Sequence, residues 1–393
     1  MKKENALKMV KQAFDTAVKN GSIKQTTANS YYGKIQNFIN NGIPEIIGDN
    51  PKEHKLYNPK FWKGSHVDQW FETLTHRHHD EEIGGSYVVG SAHAFSKLQD
   101  LVSKDKVWKG TDKIRVGLKG SIEEGKGRLY KLHQEGIGMT KAGEVTSIKP
   151  KGGEFEKILD KIKDVIPEDH RNYQSVVNVL KSQRDTGGRI TAECNLRAGD
   201  IDLEKKTKKY DKDKNDFNRR TPLKESSTAF YKQLVEGKAE GAPLFPIINS
   251  KGKQLNKQLA GKYVQEVLKK AADAAGVNTV DSNGKLTRYT SHSNRRGYAQ
   301  QEYNATRYKS RRQLEGMIGD YINLQGSNKE GILKRIENEK LRLNYYNIKN
   351  NKPVKDLSWE QLRRLHVALQ MGHSRIDHIK RYVDTDAPIW NRK

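Results

Sequence analysis

Apolar residues recur at helical spacing through the first hundred residues of the chain. One predicted helix covers residues 4–20 and ends at an Asn-Gly pair, a common helix stop. Its apolar face consists of Leu7, Val10, Phe14 and Val18. A second helix is predicted to start with Thr26 or Thr27 as its N-cap, and the segments 66–74 and 87–102 continue the same periodicity. The pattern therefore predicts an N-terminal domain built from helices.

The pattern changes twice further along the chain. Glycine and lysine dominate the stretch that precedes residue 154, and we interpret residues 131–153 as a linker between a helical domain at 1–130 and a second domain at 154–393. Within the second domain, the alternating residues between Asp200 and Leu223 give the only convincing hairpin signal, and the remainder is predicted to be mostly helical. The expected fold is mainly α with a small β-hairpin or sheet.

The charge of the chain indicates what kind of partner it binds. The chain has 393 residues and a formal net charge of +25, with lysine and arginine spread along its whole length. Such a surface favours a polyanion, above all nucleic acid. The N-terminus lacks the apolar block of a signal peptide, and no apolar run is long enough to span a bilayer, so we expect an intracellular, cytoplasmic and nucleoid-associated protein with no membrane partner. A single cysteine, Cys194, excludes an internal disulfide and a multi-cysteine metal site.

Three local patterns in the second half carry candidate chemistry. The first, TGGRITAECNLRAGDIDLE, places Arg189 at a predicted helix start, where a guanidinium and free backbone N–H groups can bind phosphate. The second, SHSNRRG, puts His292 and Arg295 on one helical face. The third, MGHSRIDHIKRY, runs from His373 to Tyr382. Taken alone, the first pattern also fits a surface arginine after a turn, the second a chance pair of residues, and the third an ordinary buried tyrosine.

Together and in this order, the three patterns resemble the tyrosine recombinases, the family of phage integrases and their relatives. The resemblance covers residues 154–393 firmly, whereas the N-terminal helices match the family's core-binding domain only in general character. It implies a two-domain DNA clamp whose catalytic domain cleaves and rejoins DNA through a 3′-phosphotyrosine intermediate, without ATP, metal or other cofactor. A phenol is a weak nucleophile because its pKa is ordinarily about 10, so other residues must stabilise the reacting phosphate.

The resemblance also assigns the catalytic residues. They are Arg189, Lys214, His292, Arg295, His373 and Tyr382. The choice of the lysine needs an argument, because the hairpin is dense in lysine. Its distance from Pro222 in the family pattern corresponds to Lys214, and Lys212 remains the alternative. Glu193 is expected to orient its neighbours rather than to react.

Two other segments resemble ligand sites, and one part of the chain departs from the family. The histidine-rich segment 75–81 is interpreted as a solvated loop rather than a metal site, and the near P-loop at 120–127 lacks the Ser/Thr that would bind magnesium. The connection between Arg295 and His373 is much longer than in the family, which predicts a helical insertion at about 300–366. That insertion is either packed structure or an extra contact with DNA or another protomer.

The sequence thus predicts a site-specific recombinase, an integrase or resolvase of a mobile element or plasmid. Expected partners are double-stranded DNA with paired recognition half-sites, further copies of the chain as a dimer and tetramer on DNA, and accessory DNA-bending or directionality proteins. The short tail around Ile389 and Trp390 and the insertion are candidate protomer contacts. Two alternatives remain open at this point: a type IB topoisomerase-like enzyme that relaxes DNA, and a DNA-binding protein of the same fold that does not cut.

Overall fold

The computed structural model divides the chain into two compact units, Met1–Glu144 and Val145–Lys393. It describes residues 2–48, 55–80, 82–102, 132, 137, 147–213, 217–280, 286–373 and 375–384. In these residues no helix is long and apolar enough to cross a membrane. Much of the predicted linker at 131–153 lies outside the described residues. Its end is ordered, since Ser147 forms a β-bridge with Arg288 of the second unit. The assignment of residues 131–153 as a linker stays a prediction.

The first unit is helical where it is described. Its α-helices are α1 (Lys3–Lys19), α2 (Gln25–Asn37), α3 (Ile43–Ile47), α4 (Gly64–His79) and α5 (Gly85–Val102). Their apolar faces meet around Phe38, whose ring packs edge-on against Trp62 at 5.0 Å and against Phe95 at 5.1 Å. Each such aromatic pair contributes about 0.5–1.5 kcal/mol beyond the apolar area that it buries. The Trp62 indole donates to the Leu56 carbonyl, so its polar atom is satisfied.

Two local predictions for the first unit are wrong. Helix α2 begins at Gln25 after an extended Lys24, so neither Thr26 nor Thr27 is its N-cap. Lys24, the actual N-cap, makes no side-chain capping bond, and the helix buries Ala28 and Ile35, so tertiary packing rather than a capping side chain accompanies its start. The histidine-rich segment is the last turn of α4 rather than a loop, and the ring of His78 hydrogen bonds to the Ile83 carbonyl.

The second unit combines helices with two small antiparallel sheets. Its α-helices are α6 (Glu154–Lys161), α7 (Tyr173–Thr186), α8 (Ile190–Glu193), α9 (Thr228–Val235), α10 (Lys257–Ala274), α11 (Ser291–Ala305), α12 (Arg311–Asn323), α13 (Lys329–Leu343), α14 (Tyr345–Lys349) and α15 (Trp359–Gln370). Its strands are β1 (Ile201–Asp202), β2 (Thr207–Asp213), β3 (Phe217–Pro222), β4 (Thr279–Val280) and β5 (Leu286–Thr287). A 3-10 helix, Ile376–Arg381, follows α15.

The predicted hairpin is the β2–β3 pair of a three-stranded sheet, with strand order β1-β2-β3. Tyr210 pairs with Arg219 and Asp213 pairs with Phe217, and an irregularity interrupts the register between these two pairs. Such a bulge turns the end of a strand and redirects its side chains. The sheet of β4 and β5 was not predicted, because each of these strands has only two residues and shows no readable alternation.

Three apolar clusters fill the second unit. The largest packs α6, α7 and α10 against the sheet. A second cluster, here called the insertion core, joins α12, α13 and α15 to Ile376. A third holds Ile379 and Val383 against Tyr298, Val367 and their neighbours, with Tyr382 packed at its edge. The expected class, mainly α with small antiparallel β-structure, is confirmed.

Candidate active site

Arg189 is placed by two glycines at the end of α7. Gly187 adopts a left-handed conformation, φ 63°, which ends the helix without strain. Gly188 has no room for a side chain: a Cβ there would lie 1.9 Å from Glu193 Oε1 and 2.4 Å from the Tyr210 hydroxyl. The chain therefore turns tightly, and Arg189 becomes the extended N-cap of the short helix α8.

The buried carboxylate of Glu193 holds this turn in place. Glu193 is fully buried and accepts hydrogen bonds from Ser182 Oγ at 2.7 Å and Tyr210 Oη at 2.5 Å. Lys208, also fully buried, lies 3.0 Å from the same carboxylate. Burial lowers the pKa of Lys208, while the charge of Glu193 acts in the opposite direction. The network connects α7, α8 and β2, so Arg189 starts from a rigid base.

The guanidinium of Arg189 is held by a residue of the hairpin. Its Nη1 donates to Asp213 Oδ2 at 2.7 Å, and Arg219 Nε donates to the same oxygen at 3.1 Å. Arg219 is fully buried and also donates to the Gln370 carbonyl at 2.7 Å. Gly372 lies against this group, where a Cβ would come within 2.7 Å of Arg219 Nε. One carboxylate thus orients two arginines beside the residue that precedes His373.

Arg295 reaches the same place from α11. Its Nη2 lies 3.1 Å from His373 Nε2 and donates to the Met371 carbonyl at 3.1 Å. The residue is 2% exposed, and its Nε and Nη1 have no hydrogen-bond partner in the part of the chain that the structure describes. Buried donors of this kind are normally satisfied, so their arrangement suits an anion.

Burial and neighbouring cations change the protonation behaviour of this group. Burial lowers the pKa of Arg295 to about 10, and the nearby charge of Arg189 adds to the effect. Arg295 nevertheless remains a cation at neutral pH. Burial, followed by the charges of Arg295 and Arg189, lowers the pKa of His373 well below its ordinary value. His373 is therefore a neutral hydrogen-bonding group at neutral pH rather than a third cation.

Tyr382 directly follows the 3-10 helix Ile376–Arg381 and is partly buried. Its ring packs against the His373 ring with centroids 5.0 Å apart. The backbone around it is anchored by α11, because Arg296 donates to the Arg381 carbonyl and Gln300 accepts from the Asp384 amide at 2.7 Å. The phenol thus lies beside the histidine that contacts Arg295.

The remaining predicted residues are placed differently. His292 is exposed on the first turn of α11, one turn before the buried Arg295 on the same helical face. Lys214 lies outside the described residues. For Lys212, the structure gives only the backbone position in β2. Contacts between side chains and with the Gly372 carbonyl therefore join Arg189, Arg295, His373 and Tyr382 into one group. The choice between the two lysines stays a prediction.

Three residues of this region were missed by sequence reasoning. Asp213 and Arg219 lie on the hairpin and are hydrogen bonded to each other. Arg335 of α13 lines the same small cavity as His373. No periodicity marks any of the three. The only available signal was the Asp-Lys alternation of the hairpin, which does not show that an aspartate faces inwards.

The chain is similar to known proteins in part of its sequence and in its fold. Residues 152–307 match the family model described as the phage integrase family, a range that includes Arg189, His292 and Arg295. A sequence comparison with curated proteins gives no significant match. The family-model match agrees with the resemblance seen in the sequence over residues 152–307.

Solved structures show a similar fold over most of the chain. One is the XerH site-specific recombinase bound to palindromic difH substrate, with a TM-score of 0.51, 16% identity, and coverage of 91% of this chain and 76% of that one. Another is the Tn1549 transposon integrase in complex with transposon right end DNA, with a TM-score of 0.51, 11% identity, and coverage of 96% and 95%. At these identities the likeness establishes the fold alone.

Proposed function

We propose that this chain, which carries a phage integrase family domain, is a site-specific DNA recombinase that forms a 3′-phosphotyrosine intermediate. The observation that carries the proposal is the convergence of Arg189, Arg295 and His373 beside Tyr382. Two oriented guanidiniums, a neutral imidazole and a phenol are the groups that transfer of a phosphodiester to an oxygen nucleophile requires. A role as integrase or resolvase of a mobile element fits the family.

In the proposed reaction, the Tyr382 oxygen attacks a backbone phosphorus of DNA. A bond forms between phosphorus and the phenolic oxygen, and the bond to the 5′ oxygen breaks. His292 accepts the phenolic proton and Lys214 protonates the departing 5′ oxygen. The covalent product retains the phosphodiester bond energy, so a 5′-hydroxyl from another strand can reverse the step without ATP.

The transition state concentrates charge on the non-bridging phosphate oxygens. The orphaned donors of Arg295 and the Asp213-oriented fork of Arg189 supply hydrogen bonds to these oxygens, and His373 adds one more. Removing one donor of this kind commonly costs a factor of about 10²–10³ in rate. Because the donors are held by buried partners, little reorganisation is needed when charge develops.

DNA is the proposed substrate. The XerH structure contains palindromic difH substrate, and the Tn1549 integrase structure contains transposon right end DNA. The net charge of +25 supports phosphate contacts whose affinity falls steeply with salt. We further propose a dimer on paired half-sites and a tetramer when two sites join, because exchange between duplexes needs four cleavages. Accessory DNA-bending or directionality proteins would act on that assembly.

The first test replaces Tyr382 with phenylalanine. The substrate is a duplex selected from random sequences for binding and then nicked so that cleavage becomes irreversible. Tyr382→Phe should bind this DNA as tightly as the wild type and form no covalent complex, since one reacting oxygen is lost and the ring still packs. Tyr308→Phe, a change at a tyrosine that is 72% exposed, serves as the matched control.

A covalent complex in Tyr382→Phe would identify another nucleophile. The same preparation separates the alternative enzyme class. Relaxation of supercoiled plasmid without a selected site, by one protomer per DNA, would favour a topoisomerase and contradict the recombinase. Binding without covalent product in the wild type would leave only a DNA-binding protein.

A further inference from the structure

The inserted helices contact the segment that carries Tyr382. Ile376, the first residue of the 3-10 helix, is 1% exposed and belongs to the insertion core together with Ile332 of α13 and Leu314 of α12. The segment between His373 and Tyr382 therefore rests on inserted residues at its start. At its end it rests on α11 and α15.

A buried carboxylate makes a polar contact at this junction. Glu339 of α13 is 5% exposed, and its Oε1 accepts the Ile376 amide at 2.7 Å. The first amides of any helix lack partners within the helix, so this bond caps the 3-10 helix from a different element. Arg342 donates two hydrogen bonds to the same carboxylate, at 2.6 and 2.9 Å, which satisfies its charge.

Arg342 extends the contact to the surface. Its Nη2 also lies 2.6 Å from Asp377 Oδ2, the residue after Ile376. Both partners of that second pair are about two-fifths exposed, so solvent screens it and it contributes little. The buried bond from the Ile376 amide to Glu339 is therefore the main polar restraint on the start of the segment.

The hydrogen bond at Ile376 affects the position of the Tyr382 phenol. A 3-10 helix rises about 2 Å per residue, which places Tyr382 roughly 12 Å from Ile376 along the chain. A tilt of about 5° at Ile376 would displace the end of such a rod by roughly 1 Å. Misplacement of a reacting group by about 1 Å can cost about 100-fold in rate.

We propose that Glu339 is a positioning residue for Tyr382, acting through its hydrogen bond to the Ile376 amide. The inference rests on the proposed function, in which Tyr382 is the nucleophile. Glu339 does not touch the reacting atoms. It gives the inserted helices a role in the reaction, because it links α13 to the only short helix between His373 and Tyr382 in the described residues.

The test compares Glu339→Ala with Glu339→Gln in the full-length protein. Alanine removes the acceptor, whereas the glutamine amide oxygen can still accept the Ile376 amide; glutamine loses the charge and the hydrogen bond that Oε2 accepts from Arg342 Nε. Glu337→Ala and Glu337→Gln, on the exposed side of the same helix, are the matched controls. Two quantities are measured: hydrogen exchange at the Ile376 amide without DNA, and the rate of covalent complex formation at saturating DNA.

Glu339→Ala should exchange the Ile376 amide faster and form the covalent complex at least about tenfold more slowly, with DNA affinity unchanged. Glu339→Gln should recover most of both properties, and the controls should behave as wild type. Arg342→Ala leaves the acceptor in place but removes the cation that neutralises it, so it should lower stability while the Ile376 amide stays protected. If Glu339→Ala folds poorly, wild-type cleavage in this equally destabilised variant shows that instability alone does not slow the reaction, whereas slow cleavage with a protected amide contradicts the inference.

Three further results would overturn the inference. One is wild-type cleavage in both Glu339 variants. The second is an equal loss of cleavage and DNA binding in Glu339→Ala, which would indicate a general structural role. The third is failure of glutamine to restore the rate. A wild-type protein that forms no covalent complex would instead refute the proposed function, and the exchange measurement would still show whether Glu339 holds the segment.

Discussion

Asp213 lies between two arginines, and replacing it with alanine should destabilise the second unit measurably. Its side chain is 3% exposed, Arg219 is fully buried, and Arg189 is 21% exposed. Removing one partner of a buried ion pair costs about 3–5 kcal/mol, because the other charge stays buried. Arg219 keeps its bonds to Thr221 and the Gln370 carbonyl, so the lower end, about 3 kcal/mol, is expected.

That free energy converts into a large thermal shift. For domains of 150–250 residues, 1 kcal/mol moves the midpoint by about 2–4 °C, so Asp213→Ala should lower it by roughly 6–12 °C. Asp213→Asn keeps one carbonyl acceptor and should lose roughly half as much. Asp211→Asn is the control on the same strand, since the Asp211–Lys209 pair is exposed and contributes under about 1 kcal/mol.

Scanning calorimetry of the full chain measures the shift, and the covalent-complex assay measures its consequence. Without Asp213 the Arg189 guanidinium loses its orienting carboxylate, so cleavage should fall by about 100-fold while DNA affinity changes little. A midpoint within about 2 °C of wild type would show that the two arginines do not depend on Asp213. Normal cleavage in the alanine variant would show that Arg189 needs no such orientation.

Two further predictions concern His373 and the lysine of the hairpin. The depressed pKa of His373 keeps its imidazole neutral in the folded state, whereas the unfolded chain takes up that proton below about pH 6.5, so stability should fall as the pH drops through this value. The loss in urea midpoint between pH 7 and 5 should be smaller in His373→Gln, and equal losses would refute the assignment. Lys214→Ala should regain cleavage on a substrate with a 5′-bridging sulfur, whose departure needs no proton; rescue of Lys212→Ala instead would move the general acid to that position.

Local sequence signals predicted the residues that sit at the ends of elements. Arg189 follows a Gly-Gly turn. Gly188 lies so close to Glu193 and Tyr210 that no other residue type fits there, and the glycine pair is therefore a signal that can be read from the sequence. Arg295 and His373 were found because their motifs are short and contiguous. Their meeting at 3.1 Å, however, joins α11 to the end of α15 and depends on packing that no periodicity reveals.

Residues that act across elements were not predictable in this way. Asp213 faces Arg189 because the register of β2 and β3 is irregular between Tyr210 and Asp213. An alternating pattern assumes a regular strand, and it would have assigned Asp213 no more meaning than the exposed Asp211. Glu339 is similar: it is one of several glutamates on α13, and only the fold shows that it is the one that is buried.

The sequence predicts an insertion that is either packed structure or an extra contact with DNA or another protomer, and its contacts within the second unit favour packing next to the site. Gln325, at the end of α12, accepts the Arg220 amide at 2.9 Å and donates to the Arg220 carbonyl at 2.9 Å. A side chain thus pairs with β3 as a neighbouring strand would, which satisfies an edge that would otherwise be open. At its other end the insertion caps Ile376 through Glu339. Because it completes both the hairpin that holds Arg189 and the segment that carries Tyr382, removing it would leave buried polar groups unpaired on both sides of the site.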